Sequence, residues 1–181
     1  MRIISGKLKG RIIKFPKSDL VRPTTDKNKE SIFNYLNNII DFENIIACDL
    51  YAGTGSLGLE IVSRGAKEVH FVENNFVVYK NILSNIELFK VEEFCKIFKM
   101  TSLKFTSNGN YKKYDLIIAD PPFFKDDIYM VVKNILDNEL LNKEGILLIE
   151  RSIQTETEDV KNFKFEPIKR LGDSLIYQYS V

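Results

Sequence analysis

A glycine-rich segment carries the residues whose types and spacing best fit nucleotide chemistry. It runs Asp49-Leu50-Tyr51-Ala52-Gly53-Thr54-Gly55-Ser56-Leu57-Gly58, after an apolar run and before a stretch with helical periodicity. Gly53, Gly55 and Gly58 match the pattern GxGxxG, in which glycines permit a tight turn and the close approach of a ligand to the backbone. Glu73 lies 20 residues after Gly53, where a carboxylate can accept hydrogen bonds from ribose hydroxyls.

The glycine pattern alone does not choose the cofactor, because dinucleotide enzymes carry it too, and a glycine turn without a ligand is also possible. Asp49 precedes the turn, where a carboxylate would hold an aminoacyl ammonium group but would repel a pyrophosphate. Together with the motif described next, Asp49 favours S-adenosylmethionine as the cofactor.

A second group of residues, Asp120-Pro121-Pro122-Phe123-Phe124, directly follows the apolar run Asp115–Ala119. Two prolines remove two backbone donors and fix φ twice, so the turn is rigid and its carbonyls are free. This suits a flat base with an exocyclic amine: Asp120 and the Pro121 carbonyl can each accept an N–H, and Phe123 can stack on the ring. Catalysis would then rest on orienting the amine nitrogen toward a methyl group and on acceptors near the developing positive charge. A rigid turn with a hydrophobic plug is the alternative.

These residues need a framework that brings the ends of several strands together. Wholly apolar runs alternate with segments of helical periodicity, which predicts an α/β fold with a mostly parallel, Rossmann-like sheet and helices on both faces. In such sheets ligands bind beyond the carboxyl ends of the strands, where the candidate residues lie. The predicted parallel strands are Ile45–Leu50, Val69–Glu73, Cys95–Lys99, Asp115–Ala119 and Gly145–Ile149.

Helices and a terminal strand pair complete the prediction. Phe163–Ile168 and Leu175–Tyr179 predict an antiparallel pair, and hence one antiparallel edge strand. A helix is predicted after Thr24 or Thr25, with Ile32, Phe33, Leu36, Ile39 and Ile40 on one face. Further helices are predicted over 57–64, 75–89 and 128–136. The apolar stripe of the second comprises Phe76, Tyr79, Ile82 with Leu83, Ile86 and Phe89.

The charge of the chain is segregated, although 26 Lys and Arg nearly balance 25 Asp and Glu. The first 30 residues hold nine basic and three acidic residues, a net charge of +6, and the remainder carries −5. The runs Arg2–Ser5 and Arg11–Phe15 around a Gly-bounded loop predict a basic β-hairpin, which favours a phosphate backbone as its partner. A solvated hairpin with lysines on its outer face explains the charge equally well. We predict two units, a basic hairpin and linker at 1–22 and a larger domain at 23–181.

Several classes of protein are disfavoured by composition. Cys48 and Cys95 form no CxxC pair, which argues against a disulfide framework or zinc site and suits a reducing cytosol. No apolar run approaches the roughly 20 residues of a membrane span, and the N-terminus lacks the apolar core of a secretory signal. We therefore expect a cytoplasmic protein without a metal.

Nine segments together form a pattern more specific than the glycine loop. They are Arg2-Ile3-Ile4-Ser5-Gly6-Lys7, Gly10-Arg11, Arg22-Pro23-Thr24-Thr25-Asp26, Lys29-Glu30, Phe33-Asn34, Asp49-Leu50-Tyr51-Ala52-Gly53-Thr54-Gly55, Ser63-Arg64-Gly65-Ala66, Val72-Glu73 and Asp120-Pro121-Pro122-Phe123. With them the chain resembles the bacterial 16S rRNA guanine-N2 methyltransferases that act at guanine 966, over nearly its whole length.

The resemblance implies a seven-stranded methyltransferase domain that uses S-adenosyl-L-methionine, with the base at Asp120–Phe123 and Thr25 near the methionine end of the cofactor. It also implies that the hairpin and linker grip RNA, for which the candidate residues are Arg2, Lys7, Lys9, Arg11 and Arg22. It implies 16S rRNA as partner, which we expect within an assembling small ribosomal subunit, and we expect the enzyme to be a monomer. Relatives commonly place Asp or Asn after the third strand, where the side chain reaches the adenine amine. Thr101 stands at this position here, and we expect it to make the contact through its hydroxyl or its backbone.

Three other functions fit parts of the pattern. The first is methylation of adenine N6 or of a protein glutamine, although such enzymes more often carry Asn at the position of Asp120. The second is a nicotinamide-dependent oxidoreductase, which nothing beyond the glycine loop favours. The third is a non-catalytic RNA-binding module, which would leave Asp120 and Phe123 without a purpose.

Overall fold

The computed structural model describes residues 1–16, 26–108, 112–122 and 126–180. Within these residues seven strands form one sheet in the order β3-β2-β1-β4-β5-β7-β6. The strands are β1 (Ile46–Leu50), β2 (Glu68–Val72), β3 (Cys95–Phe98), β4 (Tyr114–Ala119), β5 (Leu141–Ser152), β6 (Lys169–Leu171) and β7 (Ser174–Ser180). The strands β1 to β5 are parallel, whereas β7 is antiparallel to both of its neighbours and lies between β5 and the short edge strand β6. The predicted fold class, a seven-stranded and mostly parallel α/β sheet, is confirmed.

Helices cover both faces of this sheet. They are α1 (Asp26–Leu36), α2 (Ser56–Ser63), α3 (Phe76–Phe89), α4 (Ser102–Ser107), α5 (Asp127–Asp137) and α6 (Glu156–Phe163). Neighbouring strand residues face opposite ways, so Ala47 packs with α1, α2 and α3, whereas Cys48 packs with α4, α5 and α6. Two apolar clusters therefore hold the central strands, which explains why these strands are apolar at every position.

The final strand pair differs from its prediction. Phe163 ends α6 instead of beginning a strand, and β6 comprises Lys169–Leu171. The ring of Phe163 packs edge-on against Tyr129 and Tyr177, 5.4 and 5.2 Å between centroids. A helix over 156–163 has only about one apolar residue per turn. This pattern is too weak to be recognised as a helix in the sequence.

Two helices also differ from their predicted apolar faces. The helix α1 ends at Leu36, so Ile39 lies beyond it with 41% of its surface exposed. Phe76, predicted in the apolar stripe of α3, is 52% exposed. It is the first residue of α3, and the buried stripe begins two residues later at Val78.

The N-terminal hairpin forms and is bound to the body of the protein. Arg2 pairs with Ile12 in an antiparallel bridge, and Ile3 N donates to Arg11 O at 2.9 Å. The side chain of Ile3 is buried, and Leu8 and Ile13 beside it join the apolar cluster of α1, α2 and α3. The predicted boundary at residue 22 lies outside the described residues.

Polar contacts hold this hairpin against α2. Glu60 accepts hydrogen bonds from Ile4 N at 2.8 Å and from Ser5 N at 2.9 Å. Ser63 Oγ accepts from Leu8 N at 2.9 Å. A Cβ atom on Gly6, whose φ is +80°, would stand 1.8 Å from the Ser63 carbonyl oxygen, so this close approach requires glycine.

Candidate functional site

The glycine-rich segment forms the predicted turn between β1 and α2. Tyr51, Gly53 and Gly55 have φ values of 59°, 54° and 76°, and Gly55 N donates to Ala52 O at 2.7 Å. A Cβ on Gly58 would lie 2.2 Å from Cε1 of Phe71, so this glycine lets α2 pack closely on β2. Each glycine of the pattern thus meets a backbone or packing requirement.

Asp49 is a buried carboxylate near the end of β1, 1% exposed. Its Oδ2 accepts a hydrogen bond from Gly58 N at 2.8 Å. Burial raises the pKa of Asp49 well above its usual range, and the negative charges of Asp120 and Glu73 raise it further, against the effect of the Gly58 N–H. A bound cation would relieve this repulsion, so Asp49 suits an ammonium group.

Glu73 directly follows β2 and supports the glycine turn. Its Oε2 accepts from Gly53 N at 3.1 Å, and its Oε1 accepts from Asn75 N at 2.7 Å. Each carboxylate oxygen has a second lone pair, which leaves capacity for ribose hydroxyls. The side chain is half-buried, so it can be reached by a ligand at the carboxyl edge of the sheet.

Thr101 lies beyond β3 and caps α4. Its Oγ1 accepts a hydrogen bond from Lys104 N at 3.1 Å. The hydroxyl therefore serves the helix N-terminus as an acceptor and keeps its own proton for donation. This contact gives the threonine a structural purpose beside the predicted contact with adenine.

Asp120 and Pro121 follow β4, which pairs in parallel with β1 through Ala119 and Leu50. Asp120 is half-buried and close enough to Asp49 to affect its pKa. Asp49, Glu73 and Asp120 thus lie at the carboxyl ends of the three adjacent strands β1, β2 and β4. The other predicted residues of the base and cofactor pockets, Phe123 and Thr25, lie outside the described residues, as does Arg22 of the RNA-binding set.

Tyr51 makes a contact that the sequence did not predict. Its hydroxyl donates to Asp127 Oδ1 at 2.9 Å and ties the glycine turn to the first turn of α5. Burial raises the pKa of the Tyr51 hydroxyl, and the Asp127 carboxylate raises it further. The two residues are 76 positions apart, and no local pattern signals such a pair.

A buried ion pair behind this contact joins β5 to α6, and a tyrosine of α5 bonds to the same carboxylate. Arg151 Nε lies 3.0 Å from both carboxylate oxygens of Asp159, and the Tyr129 hydroxyl donates to Asp159 at 2.8 Å. Arg151 is near the end of β5, so the pair fixes α6 relative to the sheet, and the Tyr129 hydrogen bond ties α5 to α6. The sequence carried no signal for this network either.

The predicted RNA-binding residues of the hairpin are exposed. Arg2, Lys7, Lys9 and Arg11 point to solvent, and none forms an ion pair within the part of the chain that the structure describes. The Arg11 guanidinium donates to Phe89 O at 3.4 Å and lies 5.7 Å from the centroid of the Phe89 ring. The hairpin therefore presents a basic surface from a fixed position.

Among the described residues, no group of three or more His, Cys, Asp or Glu side chains is placed to hold a metal ion, and no helix there could cross a membrane. An open cavity of about 640 Å³ lies near the amino end of β1, lined by Ser5, Gly6, Asn37, Asn38, Ile39, Ile40, Asp41, Phe42 and Arg64. It lies at the edge opposite to Asp49, Glu73 and Asp120.

The chain is similar to a protein family, to relatives named as rRNA methyltransferases and to a solved structure titled as a methyltransferase. A family model described as "Conserved hypothetical protein 95" matches residues 1–180. The chain is 30% identical over 158 residues to "Putative rRNA methyltransferase YlbH" of Bacillus subtilis, covering 86% of this chain and 85% of the relative. It is 32% identical over 152 residues to "Ribosomal RNA small subunit methyltransferase D" of Haemophilus influenzae, covering 83% and 78%. The solved structure titled "Putative methyltransferase yhhF" from Escherichia coli has the same fold, with a TM-score of 0.81, 24% identity and coverage of 99% and 97%.

Proposed function

The chain belongs to the conserved hypothetical protein 95 family, and from this premise we propose that it is a 16S rRNA methyltransferase acting on the exocyclic N2 of a guanine, with S-adenosyl-L-methionine as methyl donor. Two relatives at 30% and 32% identity are named as rRNA methyltransferases, one of them of the small subunit. The observation that carries the proposal is the convergence of Asp49, Glu73 and Asp120 at adjacent strand ends, with a basic hairpin fixed to the same domain.

The glycine turn and its carboxylates would hold the cofactor. Glu73 would accept hydrogen bonds from the ribose, and Asp49 would pair with the ammonium group of the methionine portion. Gly53 and Gly55 keep side chains out of the turn, so the cofactor can approach the backbone. S-adenosyl-L-methionine supplies a methyl group activated by its positively charged sulfur.

Asp120 and Pro121 would hold the guanine amine. The nitrogen lone pair is delocalised into the ring, so the amine is a poor nucleophile and its orientation matters. Asp120 and the Pro121 carbonyl would each accept one N–H and aim the lone pair at the methyl group. The Asp120 carboxylate would stabilise the positive charge that the nitrogen gains before one of its protons leaves to solvent, and Phe123 would stack on the base.

The proposal is tested by mapping the product. The purified protein is incubated with labelled S-adenosyl-L-methionine and either naked 16S rRNA or assembling small subunits, and the modified nucleotide is identified by mass spectrometry. We expect a methyl group on N2 of one guanine, with faster transfer to the particle because the hairpin alone is a short RNA grip. Methyl transfer to adenine N6 would contradict the assignment of guanine as the target base. Equal rates on naked RNA and on assembling subunits would contradict the expectation that the particle is the preferred substrate.

Asp120→Ala provides the matching test of mechanism. Removing one preorganised group that stabilises developing charge commonly lowers kcat by about 10²- to 10³-fold, and we expect a loss of this size with cofactor binding retained. Asp173→Ala is the control, since Asp173 is exposed in the turn between β6 and β7. Full activity of Asp120→Ala would refute the proposed base pocket.

A further inference from the structure

An exposed aromatic ring lies at the carboxyl edge of the sheet, beside the site described above. Phe76, the first residue of α3, is 52% exposed, and Val77 next to it is 49% exposed. The Lys80 Nζ atom lies 4.5 Å from the centroid of the Phe76 ring, and the Lys99 Nζ atom lies 5.7 Å from it. Core packing does not account for this ring, because the buried stripe of α3 begins at Val78.

The position of Phe76 places it next to the predicted ribose contact. Asn75 caps α3 by accepting hydrogen bonds from Val77 N and Val78 N, and its own N–H donates to Glu73. Lys99 directly follows β3, the strand next to β2. The ring and both lysines therefore stand at the same edge as the glycine turn.

The charge around this ring favours an anionic partner. Neither Lys80 nor Lys99 forms an ion pair with any residue that the structure describes. An apolar protein surface placed on Phe76 would remove two ammonium groups from water without a counter-charge, which is costly. A nucleic-acid strand offers both a π-face for the ring and phosphates for the lysines.

The helix also links this ring to the hairpin. Arg11 lies against Phe89 at the far end of α3, and Asn85 holds the backbone of Lys14 through two hydrogen bonds. From Phe76 to Phe89 the helix is about 20 Å long at 1.5 Å per residue. Basic side chains thus stand at both ends of α3, with the acidic Glu87 near the hairpin end.

We propose that Phe76, Lys80 and Lys99 form a binding site for a nucleotide of the RNA substrate that flanks the target base. The base would stack on the exposed face of the Phe76 ring, and the lysines would contact the neighbouring phosphates. The strand would continue along α3 to Lys14 and Arg11 of the hairpin. This inference rests on the proposed function and adds a second RNA contact to it.

The test measures RNA affinity and cofactor affinity separately. Phe76→Ala should weaken binding of a 16S rRNA fragment about 5- to 150-fold, which is the usual effect of losing one stacked base. Phe76→Tyr should retain most of the affinity because its ring still stacks. Ile168→Ala is the matched control, since Ile168 is also exposed, by 45%, but directly precedes β6 at the opposite edge of the sheet.

The lysines are tested by the salt dependence of binding. Lys80→Ala and Lys99→Ala should each lower the slope of log affinity against log salt by about 0.7, the value for one phosphate contact in a single strand. Lys143→Ala, an exposed residue near the amino end of β5, should leave the slope unchanged. Thermal unfolding should show that all these surface variants fold like the wild type.

Two results would overturn this site. The first is unchanged RNA affinity in Phe76→Ala. The second is a loss of S-adenosyl-L-methionine affinity with unchanged RNA affinity, which would place Phe76 over the cofactor instead. If the wild-type protein methylates 16S rRNA, either result refutes only the binding site for the flanking nucleotide. If the wild-type protein does not methylate rRNA, the proposed function itself is refuted.

Discussion

Glu60 and Asp49 are both buried carboxylates, but their surroundings differ sharply. Glu60, on α2, accepts hydrogen bonds from two backbone N–H groups of the hairpin and from Arg64, and its Oε2 lies 3.5 Å from the buried Lys29 ammonium. Asp49, on β1, accepts one N–H from the described residues and faces two other carboxylates. The first carboxylate has a cationic partner at hand, whereas the second has none among the residues that the structure describes.

The difference separates a structural region from a binding region. We call Glu60, Ser63 and Lys29 the hairpin anchor, because they fix the hairpin to α1 and α2. A buried charge whose partners are all present stabilises one arrangement of the chain, whereas a buried carboxylate among like charges lowers stability and is typical of ligand sites. Substitutions in the two regions should therefore change stability with opposite signs.

Glu60→Ala should produce the largest effect on stability. It leaves Lys29 buried without its carboxylate, and breaking a buried pair in this way usually costs about 3–5 kcal/mol of the free energy of unfolding. Urea unfolding followed by circular dichroism measures the loss. Glu87→Ala, on the exposed side of α3, should change the free energy of unfolding by less than about 0.5 kcal/mol. A Glu60→Ala protein as stable as this control would show that the anchor does not hold the hairpin.

Ser63→Ala should have a smaller effect in the same direction. Its Oγ accepts from Leu8 N in a buried position, and an unsatisfied buried N–H costs about 1–3 kcal/mol. We expect faster hydrogen exchange of the Leu8 amide, because the hairpin opens more often, and a correspondingly lower free energy of unfolding. Ser84→Ala, on the solvent side of α3, is the control. Unaltered exchange at Leu8 would remove Ser63 from the anchor.

The two regions were not equally visible in the sequence. Apolar runs that end in Asp49, Glu73 and Asp120 mark strand ends, and parallel pairing necessarily brings such ends to one edge of a sheet. The carboxylate edge could therefore be predicted from local patterns. Glu60, in contrast, bonds to residues 55 and 56 positions earlier, and nothing in its own helix signals those partners.

The fold predictions that were wrong also concern contacts between residues far apart in the sequence. Phe76 follows the helical spacing of α3, but the spacing does not reveal that the first turn extends past the packed part of the sheet. The segment 156–163 is polar except for Val160 and Phe163, so its helix depends on contacts with α5 and β7. Tertiary packing, which a local pattern does not contain, decided both cases.

Asp49→Asn should have the smallest effect on stability and the opposite sign. Asparagine keeps an oxygen for the Gly58 N–H but removes the charge that faces Asp120 and Glu73. Because burial raises the pKa of Asp49 above its usual value of about 3.9, folding favours the protonated acid. The stabilisation that the protonated acid contributes to the folded state is complete below about pH 3.9, and it is lost as the pH rises through the raised pKa.

The cofactor-free Asp49→Asn protein should thus be about 0.5–2 kcal/mol more stable than the wild type at pH 7, the range usual for single stabilising substitutions, and the difference should shrink toward pH 4. S-adenosyl-L-methionine should raise the melting temperature of the wild type and have little effect on the variant, because the ammonium group loses its carboxylate. Thermal unfolding at both pH values, with and without cofactor, measures all of these quantities. A variant that is less stable at pH 7 and still binds the cofactor would show that Asp49 is a structural carboxylate like Glu60. The contrast between the two regions would then have no basis, since each buried acid would serve only the fold.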